Sequence, residues 1–321
     1  MGEMRRGSPG DFKMAPFRPI GLALGLVLAA SAACAAEVTV VRGVLGPEGP
    51  LVVDGVLYFV GWNDNALTRW DGHGKTAIHT DPACGHNGLA LTKQRTFLLA
   101  CTNDPGAILE LTLDGKQLRR WDADDRGGKF VGGINDIVVA PNGGAYATTF
   151  GPYDGKTPPG EVIGKVLYLA AGAANWMQVA ADLNYANGVG VSPDGKTLYV
   201  SQTVTGSILK FRIEPDGTLS RRSNFALLDR LVPPRSKSPW LGPDSLKVDH
   251  KGDIYVAQFF GGKILKLSPA GKLLHVFHIA AGDGTTNVAL DAGERRLYVS
   301  VVKDAKDPKA QGSIVRIENV R

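Results

Sequence analysis

The sequence predicts an all-β protein, a six-bladed β-propeller whose ring is closed by an N-terminal strand that completes the last blade. Three observations lead there. The chain of 321 residues holds 41 glycines and 19 prolines against 7% aromatic residues, a balance that calls for many turns between short strands. One phrase recurs along it, in its clearest form YANGVGVSPDGKTLYVSQT at Tyr185 to Thr203: a polar residue, a short alternating run, a turn, and a second apolar run. The copies stand roughly 40 to 60 residues apart, the period of a propeller blade.

The N-terminus is read apart from the fold. Arg18 precedes the apolar run Ile20 to Leu28, and the small residues Ala29 to Ala36 include Ala33-Cys34-Ala35, the shape of a secretory signal with an A-x-A-like cleavage site. Met14 is a candidate natural start. The apolar core is shorter than the about 20 residues a membrane span needs. Residues 1–36 are therefore expected to direct export to the periplasm or the medium, residues 37–321 to form one propeller domain, and the cleaved chain to have no membrane anchor.

The blades open at Glu48 (EGPLVVDGVLYFV), Asn87 (NGLALTKQRTFLLAC), Asn135 (NDIVVAPNGGAYATTF), Asn187, Asp244 (DSLKVDHKGDIYVAQF) and Asn287 (NVALDAGERRLYVSVV). Each hairpin is followed by a third apolar run: Leu67 to Trp70, Ile108 to Leu113, Lys165 to Leu169, Ile208 to Ile213, Ile264 to Leu267 and Ile314 to Ile317. The segments alternate by two rather than by 3.6, which sets a helical solenoid aside. The sixth copy ends near Arg321 without a fourth strand, while Glu37 to Val41 precedes the first copy with nothing else to pair with. That segment is expected to complete the sixth blade and leave no open edge.

Charge and motifs exclude several function classes. The net charge of +5 drops by two once the basic export segment is removed, and the remaining lysines and arginines are scattered, so no nucleic-acid partner is expected. Gly190 to Thr197 (GVSPDGKT) matches a P-loop letter for letter, but Leu198-Tyr199-Val200 continues it as a strand where phosphate binding requires a helix. No G-x-S-x-G elbow occurs. Cys84 and Cys101 flank a hairpin turning near Lys93 and Gln94; a disulfide and two separate buried thiols both remain open.

In a propeller the first strands line the channel and begin at the same end, so the six opening residues should converge on one mouth. One Asn there would be an ordinary turn former. Two carboxylates among four carboxamides repel each other unless a cation or a proton neutralises them, and an all-oxygen donor set suits Ca²⁺ or Mg²⁺, with Mn²⁺ or Zn²⁺ as alternatives. His86 beside Asn87, Tyr153 in the long loop Gly151 to Ile163, and Trp240 in the loop Leu231 to Gly242 are candidate substrate contacts at that mouth.

The phrases at Glu48, Asn135, Asn187 and Asp244 (PDSLKVDHKGDIYVA) resemble those of the gluconolactonase, regucalcin and luciferin-regenerating enzyme family of six-bladed propellers, in the same order and over nearly all of residues 37–321. The resemblance implies one divalent metal, Ca²⁺ first, held by Glu48, Asn187 and Asp244. It implies a catalytic contact from Asn135 to water at the metal or to the substrate, and a general-base role for Asp244. The implied activity is opening of a sugar or related lactone. A ligand- or protein-binding propeller and a metal-dependent esterase or phosphotriesterase on the same scaffold are the alternative readings. Two positions depart from the family pattern. Gly133 stands where a sugar-binding Arg is common, and Ser245 stands where Gly usually follows the catalytic Asp.

Overall fold

A computed structural model describes residues 1–2, 37–151, 164–234 and 236–320. The expected export segment falls outside these residues apart from its first two, and so does Tyr153 with its loop. Within residues 35–321 the described chain forms six four-stranded sheets, antiparallel throughout. Blade 1 is β2 (Pro47–Val53), β3 (Val56–Gly61), β4 (Ala66–Trp70) and β5 (Lys75–Thr80); blade 2 is β6 (His86–Leu91), β7 (Phe97–Cys101), β8 (Ala107–Leu111) and β9 (Gln117–Trp121). Blade 3 is β10 (Ile137–Val139), β11 (Ala145–Thr149), β12 (Gly164–Leu169) and β13 (Met177–Leu183); blade 4 is β14 (Ala186–Val191), β15 (Thr197–Gln202), β16 (Ser207–Ile213) and β17 (Leu219–Leu227). Blade 5 is β18 (Gly242–Val248), β19 (Ile254–Phe259), β20 (Lys263–Leu267) and β21 (Leu273–His278), and blade 6 is β22 (Gly284–Leu290), β23 (Arg296–Val302), β24 (Gln311–Glu318) and the N-terminal β1 (Glu37–Leu45).

First strands touch their neighbours around the axis: β2 with β6, β6 with β10, β10 with β14, β14 with β18, β18 with β22, and β22 with β2. The ring is thereby complete. Its seam is β1, which pairs antiparallel with β24 from Glu37 opposite Ile317 to Leu45 opposite Gln311. The core lies between adjacent blades. Val60, Leu67, Leu89 and Leu99, all essentially buried, pack blade 1 on blade 2, and Tyr146, Val166, Val189 and Val200 pack blade 3 on blade 4.

The phrase at Gly190 to Thr197 is the turn between β14 and β15. Ser192 N–H donates to Thr197 O (2.9 Å) and Gly195 N–H to Ser192 O (2.8 Å), with Gly195 at φ 71°, a conformation that favours glycine. No helix follows, so the P-loop reading fails on geometry. Cys84 and Cys101 are joined as a disulfide with their Cα atoms 4.5 Å apart, and both are buried.

Candidate active site at the channel mouth

Five of the six first strands break their pairing register where the site residues stand; β10 begins only at Ile137, after Asn135 and Asp136, and pairs with β11 without a shift. The shift falls between Glu48 and Leu51 in β2, His86 and Leu89 in β6, Ala186 and Val189 in β14, Pro243 and Leu246 in β18, and Thr285 and Asn287 in β22. A β-bulge of this kind re-aims side chains that strict alternation would send to opposite faces. The residue after the mouth residue is glycine in three blades, because the next blade lies against it. A methyl group added at Gly188 would stand 2.5 Å from Ser245 Cα and 2.6 Å from the Asp244 carbonyl oxygen.

Glu48, Asn87, Asn135, Asn187 and Asp244 line one cavity of about 210 Å³ at this end of the channel. All five are buried. Trp240 lines it too, as the sequence led one to expect. Two expectations are corrected. Asn287 is not the sixth mouth residue: Thr286 lines the cavity, and Asn287 sits one residue deeper, where its Nδ2 donates to Glu48 Oε2 (2.7 Å). His86 does not reach the cavity. It is fully buried on the residue before the bulge, paired opposite Cys101, with its Nε2 2.9 Å from His79 Nδ1. Burial, then the neighbouring His79, lowers its pKa to about 4, so it is a neutral core histidine.

Glu48 and Asp244 carry the electrostatics of the site. Burial, reinforced by the charge of Asp136, raises the Glu48 pKa from 4.5 to about 7, against the opposing bonds from Asn287 and from Gly49 N–H (2.9 Å) and the charge of Lys247. Burial and the Glu48 charge hold Asp244 well above the usual carboxylate range, opposed chiefly by a hydrogen bond from Asn187. Two buried acids that prefer a proton in the absence of a cation make a place where a cation would displace that proton.

The amide of Asn187 completes the donor set. Its Nδ2 donates to Thr203 Oγ1 (3.1 Å), and the Thr203 hydroxyl donates in turn to Pro243 O (2.9 Å). Asn187 Oδ1 is buried and has no hydrogen-bond partner. A buried acceptor left without a donor costs about 1–3 kcal/mol, and a cation between it and the two carboxylates would satisfy it. Among the described residues no three His, Cys, Asp or Glu side chains gather as a ligand set, so a cation here would take an amide oxygen beside the carboxylates. The residues fit a hard divalent ion.

Beneath this layer lies a cluster that sequence reasoning missed. Asp136 is buried; its Oδ1 accepts from Ile137 N–H (2.9 Å), and its Oδ2 accepts from Ser245 Oγ (2.6 Å) and Lys247 Nζ (3.3 Å). Ser245 adjoins Asp244 and Asp136 adjoins Asn135, so this bond ties blade 5 to blade 3 across the channel. The only available signal was the Asp that follows Asn135 in NDIVV. The aromatic side chains of the mouth, Trp62, Phe150, Tyr185 and Phe259, were also missed. Gly133 is bare for a backbone reason: at φ 81° an added methyl group would lie 2.1 Å from Thr102 O.

A six-bladed propeller with two acids and three amides converging on one channel mouth defines the class of protein. The chain belongs to the SMP-30/gluconolactonase/LRE-like family, whose profile matches residues 46–303. Among curated relatives, the lactonase drp35 of Staphylococcus aureus is 28% identical over 138 residues, 43% of this chain and 39% of that protein, so the match spans about two fifths of the relative. A gluconolactonase of Xanthomonas campestris superposes with a TM-score of 0.71 at 23% identity, covering 88% of this chain and 89% of the other. Regucalcin of Agrobacterium tumefaciens, a calcium-binding protein, superposes at 0.68 with 20% identity over 87% and 92%. These structural likenesses speak for the fold.

Proposed function

We propose that the protein is a divalent-metal-dependent lactonase, exported from the cytoplasm. The observation that carries the reading is the orphaned Asn187 Oδ1 at a cavity that Glu48 and Asp244 also line. Membership of a family that includes gluconolactonases supports it, as does the lactonase activity in the name of the Staphylococcus relative. The oxygen donors and the calcium-binding neighbour favour Ca²⁺, with Zn²⁺, Mn²⁺ and Mg²⁺ as the other ions to test. The ion would be held by Glu48, Asn187 and Asp244, and when bound it would polarise the lactone carbonyl.

The chain's own groups supply the rest. Asp244, ionised by the bound cation, would take a proton from the attacking water as general base. Hydroxide adds to the acyl carbon, the ring C–O bond breaks, and the proton passes to the departing alkoxide, leaving a hydroxy acid. The Asn135 and Asn87 amides, which line the same cavity, would hold the lactone oxygens. The Asp136–Ser245 bond keeps Asn135 and Asp244 in fixed relation.

The test is metal analysis of the purified protein together with a panel of lactones, aryl esters and a phosphotriester, with each ion and with EDTA. Lactone turnover that EDTA abolishes and one ion restores is expected. Turnover of the esters alone would transfer the site to an esterase, and a protein without stoichiometric metal or turnover would be a binding propeller.

A further inference from the structure

Five aromatic side chains form the wall above the acids and amides: Trp62, Phe150, Tyr185, Trp240 and Phe259. Each is half-buried, so its remaining surface is offered to the cavity and the solvent above it. They are also fixed. Phe150 stacks on Tyr185 with ring centroids 5.0 Å apart and planes at 22°, and Tyr185 meets Trp240 edge-on at 4.9 Å and 71°. Phe259 meets Phe260 edge-on at 5.0 Å. Trp62 lies over Gly46, where an added methyl group would stand 2.3 Å from its ring. Aromatic surfaces held this way lose little freedom when a flat apolar group slides between them.

The polar wall is poor in donors. The hydroxyl protons of Thr102, Thr203 and Thr286 are committed to backbone carbonyls, those of Gly85 (3.0 Å), Pro243 (2.9 Å) and Pro47 (2.6 Å). The Asn187 amide donates to Thr203. The other donors of the described lining are the amides of Asn87 and Asn135 and, within the aromatic wall itself, the indole N–H groups of Trp62 and Trp240 and the Tyr185 hydroxyl. Among the described lining residues the charged side chains are Glu48 and Asp244, and neither is a cation. A ring bearing several hydroxyls could pair those that face the acids and amides, but would leave the rest against the aromatic faces of Phe150, Trp240 and Phe259, where a hydroxyl stripped of water costs binding.

We infer that the site selects lactones that carry a flat apolar or aryl substituent, seated against Phe150, Tyr185 and Trp240, over polyhydroxylated sugar lactones. This rests on the lactonase reading. The cavity of about 210 Å³ admits a small lactone ring with the substituent reaching into the aromatic mouth.

The test compares kcat/KM for γ-phenyl-γ-butyrolactone, γ-butyrolactone and glucono-δ-lactone on the metal-loaded protein. A parallel titration of tryptophan fluorescence uses the phenyl lactam, 5-phenylpyrrolidin-2-one, which resists hydrolysis. The phenyl lactone is expected to exceed the parent at least tenfold and the sugar lactone at least a hundredfold, and in Trp240→Ala and Phe150→Ala the phenyl-to-parent ratio is expected to fall at least fivefold. A sugar lactone turned over as well as the phenyl lactone overturns the inference and leaves the lactonase reading standing. If no lactone is hydrolysed but the phenyl lactam quenches the fluorescence, and Trp240→Ala weakens that binding, the lactonase reading falls and the aromatic ligand class stands. Neither turnover nor quenching sinks both.

Discussion

Replacing Glu48 by Gln separates the electrostatic account of the site from its shape. Glu48 is 4% exposed, and its folded pKa of about 7 lies above the ordinary 4.5. A folded pKa raised in this way means that the fold prefers the protonated acid. The stability associated with Glu48 is therefore fully present below pH 4.5 and is lost as the pH rises through 7. At 1.36 kcal/mol per pKa unit the loss amounts to about 3 kcal/mol above pH 8. Glu48→Gln keeps the acceptor that Gly49 N–H and Asn287 Nδ2 use and removes the ionisation. It also relieves Asp244, whose proton affinity the Glu48 charge raises. In metal-stripped protein the variant and wild type should melt together near pH 4, and the variant should melt higher by about 5–10 °C at pH 8. Calcium should close that gap by stabilising the wild type while leaving the variant unmoved. Calorimetric melts from pH 4 to 8, with EDTA and with Ca²⁺, read both effects. Parallel melting curves across that range, or equal stabilisation of both proteins by the ion, would refute the reasoning.

Three further outcomes follow from the same geometry. Asp244→Asn should lower lactone turnover by about 10²–10⁴-fold, the usual worth of a general base, with the circular dichroism spectrum unchanged; steady-state kinetics measure it. Thr203→Val removes the acceptor that orients the Asn187 amide and should weaken divalent-metal binding about 10- to 100-fold, as read by isothermal titration. Gly188→Ala forces a methyl group against the Asp244–Ser245 backbone and should cost about 1–3 kcal/mol, measured by denaturant unfolding and absent from Gly74→Ala, an exposed glycine where an added methyl group meets nothing within 4 Å.

The inner three strands of each blade were legible because they are apolar and bounded by turn formers, as in Leu198-Tyr199-Val200 after Pro193-Asp194-Gly195. The outer strands of blades 1 to 5 were not, whereas the outer strand of blade 6, β1, was expected from Glu37 to Val41 and pairs with β24. β5 and β9 are largely exposed, with Lys75, Thr76, Arg119 and Arg120 facing solvent, so they carry no alternation to read. At the site, Glu48, Asn87, Asn135, Asn187 and Asp244 could be found from their place in the repeat. Asn287 was off by one residue, because the bulge of β22 falls one residue earlier along the phrase than the Asn suggests. His86 was misplaced by its proximity to Asn87, although it stands before the bulge and turns into the core. Of the aromatic mouth only Trp240 had a signal, its long loop: Trp62, Phe150, Tyr185 and Phe259 sit at the ends of different strands or just beyond them, where no periodicity links them.

The bulge connects the repeat to the chemistry. In a regular strand the neighbours Asn135 and Asp136, or Asp244 and Ser245, would face opposite sides of the sheet. Both members of each pair take part in the channel, one at the cavity and one below it: Asp244 and Ser245 through the bulge of β18, Asn135 and Asp136 because they lie just before β10 begins at Ile137. The lower position must fit against the adjacent blade, and Gly49, Gly88 and Gly188 do so without a side chain: an added methyl group at Gly88 would lie 2.6 Å from Asp136 Cα. The space these glycines leave is what lets the remaining three blades place Asp136, Ser245 and Asn287 there. Those side chains bond across the channel and up to the mouth, Ser245 to Asp136 and Asn287 to Glu48. The layer that lines the cavity is thus braced by a second layer in which glycine and polar side chains divide the six positions. A substitution in that lower layer would disturb the upper one without touching the substrate.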